Sequence, residues 1–210
     1  MRDIQFALVR EGPSDDGLAI LIRALLGRSG VAGVIRAARN YQGTTITKLA
    51  QVLAEEVVPD LIFVHRDSDS RDAAERHDEI ASAASELGCD DKVVAVVPVQ
   101  ETESWLLTDE SAIRTVVGRP QGRTALGLPA VRSIESTANP KEILEAACKI
   151  ACGKSGARLK AASRNFPRYR ATLIERLDLD GPVNELASWR QFVEDLTAAA
   201  GRVMSETAEA

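Results

Sequence analysis

The stretch Asp60–Asp72 reads DLIFVHRDSDSRD, and in it two carboxylates, Asp67 and Asp69, directly follow the apolar run Leu61–Val64 and its flanking His65-Arg66. Carboxylates two positions apart repel, and a divalent cation bound by oxygen ligands is the natural way to neutralise them. Glu11 lies just past a β-prone run, Ile4–Val9, and Glu101 and Glu103 lie just past another, Lys92–Val97. Carboxylates gathered from three strand ends suit two-metal phosphoryl transfer, in which one ion readies water and the other stabilises the leaving oxygen. Glu101 and Glu103 cannot share a helix face at this spacing, so at most one is expected to face such a site. Arg66 is a candidate phosphate contact, and His65 is read as a local hydrogen-bonding residue. The competing reading is structural: Ser68 or Asp69 caps the next helix, and the two glutamates place charge at the start of another, with Trp105 as its core anchor.

These acids need strands that end together. Ile4–Val9, Val31–Ala37, Leu61–Val64 and Lys92–Val97 are β-prone, and helical patterns separate them. Leu18, Leu21, Ile22, Leu25 and Leu26 recur at helical spacing behind Ser14 or Asp15 as cap. Ile46, Leu49, Val52 and Leu53 do so behind Gly43-Thr44-Thr45, and a polar amphipathic stretch runs from Arg71 to Leu87. The alternation predicts an α/β fold with a mainly parallel sheet flanked by helices, whose chemistry belongs at the carboxyl ends of the strands. If the first and third strands are neighbours, Glu11 joins the aspartates as a third ligand or an acid/base.

Beyond Pro98, a short helix around Trp105 and a second from near Asp109 lead into a loop, Gly118–Pro129. After Asn139 as cap and Pro140 at the first helical position, helices are expected over Lys141–Cys152, Ala157–Ala162, Phe166–Leu177 and Ser188–Ala200. This gives an α/β core over residues 1–136, a helical extension over 137–200, and a frayed tail over 201–210.

Apolar residues make up 45% and charged residues 27% of the 210, as in an ordinary soluble domain. Aromatic residues, at 4%, are too few for a base-stacking platform. Cys89, Cys148 and Cys152 have no CxxC spacing and only two histidines to help them, which argues against a disulfide framework and a zinc site. The opening residues lack the apolar run of a secretory signal and no stretch reaches membrane-spanning length, so the expected location is the cytoplasm. A Ser-His-Asp triad has no supporting motif. Gly153-Lys154-Ser155 follows a helix and lacks the upstream glycine of a nucleotide-binding loop.

Net charge is −5, yet Lys141–Arg170 holds eight basic residues against Glu142 and Glu145, a formal +6. Such a segment can localise a polyanion on an acidic protein. Lys154, Arg158, Arg164 and Arg168 are its candidate phosphate contacts, with DNA or RNA as the partner.

The order of LVREGPSD and LIFVHRDSD resembles the Toprim domain of topoisomerases, primases, recombination mediators and OLD-family nucleases. With VPVQETESWLL, NPKEIL and ASWRQFVEDL, the chain is most similar to the small free-standing Toprim-like, OLD-related bacterial family, over Ile4 to Leu196. The resemblance implies a Mg²⁺ (or Mn²⁺) site with Asp67 and Asp69 as ligands. Glu11 would be a ligand or acid/base, and Glu101 or Glu103 the additional acid. It implies a metal-dependent nuclease or related phosphoryl-transfer enzyme, in anti-phage defence or DNA repair. Ser70 replaces the usual small residue after the two aspartates, and neither Tyr41 nor Tyr169 stands where a topoisomerase needs its tyrosine. The alternative is a non-catalytic defence or toxin–antitoxin component that binds an ATPase encoded nearby.

Overall fold

The computed structural model describes residues 3–35, 40–153 and 163–208. It is an α/β fold with a four-stranded parallel sheet flanked by helices and a helical C-terminal region. Two compact units make it up. The first comprises Met1–Arg66, Asp72–Val97 and Gln191–Ala210, and the second Asp67–Arg71 and Pro98–Arg190.

The first unit holds the sheet: β1 (Asp3–Val9), β2 (Ala32–Ile35), β3 (Leu61–His65) and β4 (Val93–Val96), in the order β2-β1-β3-β4 with every pairing parallel. All five residues of β3 are buried, as an apolar strand covered on both faces requires. β1 and β3 are neighbours, with Val9 opposite Val64, so both central strands end at the same edge. The helices α1 (Leu18–Arg28), α2 (Thr45–Leu53) and α3 (Ala74–Glu86) belong to this unit. So does α8 (Ala187–Ala208) from Gln191 onward. Phe63 of β3 lies edge-on between Phe6 and Phe192, at centroid distances of 5.5 and 6.4 Å.

Helix starts depart from the sequence expectation where a carboxylate has another use. Asp15 does not cap α1. It closes a 3₁₀ turn, Pro13–Asp15, accepts the Gly12 amide at 3.3 Å and lies buried 3.8 Å from His65 Nδ1, while the cap position falls on Gly17. Neither Ser68 nor Asp69 caps α3, which begins only at Ala74, with its first amide bonded to Asp72. Thr44 does cap α2, its hydroxyl accepting the Thr47 amide.

The second unit carries α4 (Glu103–Leu106), α5 (Glu110–Val116), α6 (Pro140–Cys152) and α7 (Phe166–Glu175). Two 3₁₀ turns, Val131–Ser136 and Pro182–Glu185, also belong to this unit. Trp105 and Trp189 meet edge to face at 5.0 Å, and the Trp105 indole N–H donates to Ser188 Oγ at 2.9 Å. The expected helix over Ala157–Ala162 lies outside the described residues, and α8 runs through the residues expected to fray, as far as Ala208. Among the described residues, no helix is long and apolar enough to cross a membrane.

Candidate active site

Four of the five candidate acids belong to the second unit, where two short segments are laced together. The Ser68 amide donates to the Pro98 carbonyl (3.2 Å), that of Asp69 to Gln100 (2.9 Å), and that of Gln100 to Ser70 (3.0 Å). Ser68 is the hub. Its hydroxyl accepts the Gln100 amide at 2.7 Å and donates to the Ser70 carbonyl at 2.6 Å. Asp69 and Gln100 are both left-handed, at φ 55° and 65°. Non-glycine residues hold that conformation only where neighbouring structure enforces it, and such positions concentrate at functional sites. The lacing supplies the enforcement.

The lacing fixes the acids. Asp67 Oδ1 accepts both the amide and the hydroxyl of the buried Thr102, at 2.9 and 3.0 Å. Glu101 Oε2 accepts the Lys141 amide at 3.1 Å. This explains why Asn139 contributes no side-chain cap to α6: it is left-handed (φ 56°), and Glu101 takes an amide of the first turn in its place. Burial pushes the Glu101 carboxyl above its ordinary value. The charges of Glu103 and Asp67 push the same way, against the Lys141 amide and ammonium. Asp69 is exposed.

Glu101 and Glu103 therefore part company, as their spacing requires. Glu101 remains half-exposed, whereas Glu103 is buried against Arg170, with Oε1 2.8 Å from Nε. Ser68, Thr102 and Arg170 were not singled out for these roles in the sequence. The D-S-D-S alternation carries a hint for Ser68, since only the serine between the two aspartates turns inward. Nothing local marks Arg170, which reads as one more member of a basic run.

Glu11 belongs to the first unit and is engaged there by Arg66, whose Nε donates to it at 2.8 Å. Arg66 Nη1 also donates to Glu79 (2.6 Å) and Thr45 (2.9 Å), and Arg76 donates to Glu79 at 2.9 Å. Burial alone would raise the Glu79 carboxyl. Hydrogen bonds from Thr45 and Arg76 and the charges of Arg66 and Arg76 outweigh it and hold Glu79 below the ordinary range. Of the candidate phosphate contacts in the basic segment, Arg164 and Arg168 are exposed, and Lys154 and Arg158 lie outside the described residues.

Among the described residues, no group of three or more His, Cys, Asp or Glu is placed to hold a metal ion. Asp67 and Glu101 alone are a donor set that suits a hard cation retaining much of its water, as Mg²⁺ commonly does with one or two carboxylates. Compared with protein-family models, curated proteins and solved structures, the chain matches none.

Proposed function

We propose that the chain is a Toprim-like, divalent-metal-dependent nuclease that hydrolyses phosphodiesters of DNA or RNA. The observation that carries this reading is the pair Asp67 and Glu101, held by two loops whose left-handed residues, Asp69 and Gln100, are hydrogen-bonded to each other. Asp67 and Glu101 would hold Mg²⁺ or Mn²⁺, which when bound neutralises phosphate charge and lowers the pKa of attacking water. Thr102 fixes the orientation of Asp67 through two hydrogen bonds, and Ser68 keeps the two loops in register. Burial holds the Glu101 carboxyl above its ordinary value, and a bound cation would favour its ionised form. Asp69 adds negative charge at the exposed side of the loop.

A second reading has its own support. Asp67, Glu101 and Glu103 each accept a hydrogen bond from within the unit, from Thr102, the Lys141 amide and Arg170. Acids that hold a fold together do the same, and a non-catalytic component that binds an ATPase encoded nearby would need no more.

Single- and double-stranded DNA and RNA, incubated in parallel with the purified chain and Mg²⁺ or Mn²⁺, separate the two. The nuclease reading expects cleavage in at least one arm, reduced about a hundredfold or more by Asp67→Asn and by Glu101→Gln. Cleavage in no arm, together with a stable complex with the neighbouring ATPase, supports the second reading.

A further inference from the structure

Cations crowd the ends of the two central strands in the first unit. Arg10 follows β1, Arg66 follows β3, and Lys48 stands on α2, its ammonium donating to the Arg10 carbonyl at 2.7 Å. Arg10 is ion-paired with Asp16, and Arg66 with Glu11 and Glu79. Lys48 differs from both. Among the described residues the only hydrogen bond of its ammonium is to that backbone carbonyl, and it has no carboxylate ion pair. Burial and the charges of Arg66 and Arg10 push Lys48 below the ordinary lysine range, although Glu11 pulls the other way. The three carboxylates are all taken by arginines, so Lys48 is the cation of this cluster to which, among the described residues, no carboxylate is paired. Arg66 also has donors to spare: its described bonds use Nε and Nη1, and none uses Nη2.

We propose that Lys48 and Arg66 form an anion subsite that takes one phosphate group through two of its oxygens. A phosphate answers each feature of the cluster. It accepts from an ammonium and a guanidinium together, it supplies the counter-charge that Lys48 lacks, and it binds where open α/β sheets take ligands, beyond the carboxyl ends of adjacent strands. Asp16, Glu11 and Glu79 are already satisfied by arginines and need not move. Phosphate binding here is independent of whether Asp67 and Glu101 carry catalysis, so either can fail without the other.

The test is a titration of the full chain at low ionic strength with inorganic phosphate, and in a second arm with a short oligothymidylate, read by the NMR signals of the lysine side chains. A saturable shift at Lys48, and none at Lys92, is expected. Lys48→Met should weaken binding by about tenfold or more, and Lys48→Arg should restore most of it. Saturation with inorganic phosphate alone assigns the subsite to a free or terminal phosphate, and tighter binding of the oligonucleotide assigns it to a phosphodiester backbone. No saturable shift at Lys48 in either arm, or equal binding by Lys48→Met, overturns the assignment.

Discussion

Glu103 and Arg170 form an ion pair inside the second unit, Nε to Oε1 at 2.8 Å, with side-chain exposures of 2% and 8%. A pair so far from water contributes little beyond an apolar pair of similar volume, but breaking it strands a buried charge. Glu103→Leu or Arg170→Met alone should each cost about 3–5 kcal/mol in urea denaturation. Glu103→Leu combined with Arg170→Met should cost clearly less than the two single losses added together. Additive losses would mean that the residues do not act as a pair.

Ser68 ties the two acid-bearing loops together, so its hydroxyl matters to stability and to activity. Ser68→Ala leaves the Ser70 carbonyl without its 2.6 Å donor and removes one acceptor from the Gln100 amide. The expected cost is about 1–3 kcal/mol. If Asp67 and Glu101 work together, cation-dependent cleavage should fall by more than that loss of folded protein explains, measured well below the melting temperature. A variant with wild-type turnover would show that the lacing serves the fold alone.

The sheet was legible because parallel-sheet strands announce themselves locally. Leu61–Val64 is apolar throughout, and so are Phe6–Val9 of β1 and Val93–Val96 of β4, which suffices to fix three strands and their ends. Strand ends then locate Asp67 and Glu101. What could not be read depends on partners distant in sequence. Glu101 and Glu103 have the same chemistry two residues apart, and only Arg170, 67 positions beyond Glu103, decides which of them is buried. Asn139 has the composition of a helix cap, but Glu101, 40 positions before Lys141, takes the amide. In each case local propensity lost to a tertiary contact.

Glu101 should leave a signature in the pH dependence of stability. Its carboxyl is raised in the folded state, so folding favours its protonated form. Its contribution is therefore most favourable below the ordinary carboxylate range and is lost as pH rises through the folded value. Glu101→Gln, whose side-chain oxygen can still accept the Lys141 amide, should remove that dependence and match or exceed the wild type at neutral pH. A bound cation favours the ionised form. Mg²⁺ should therefore raise the melting temperature of the wild type at neutral pH, less so in acid, and hardly at all in Glu101→Gln or Asp67→Asn. A melting curve indifferent to Mg²⁺ at neutral pH would remove the metal from this pair.

The basic run Lys141–Arg170 is less uniform as a surface than as a sequence. Arg170 is spent inside the unit on Glu103, and Lys149 pairs with Glu145 at 2.7 Å along α6. Arg164 and Arg168 are exposed, and among the described candidates they are the ones able to meet a phosphate backbone. Each phosphate neutralised releases counterions and adds about 0.9 to the log–log salt slope on a duplex, or about 0.7 on a single strand. Arg164→Ala with Arg168→Ala should therefore lower the slope by roughly 1.5–2 on duplex DNA and by somewhat less on a single strand. Lys149→Ala should change it by less than either arginine, because that ammonium already has a carboxylate. Binding of a fluorescent duplex and a fluorescent single strand between low and moderate salt measures all of these. A double variant with an unchanged slope would assign Arg164 and Arg168 to solvation or to a protein partner, and the route by which nucleic acid reaches the acids would have to lie elsewhere on the chain.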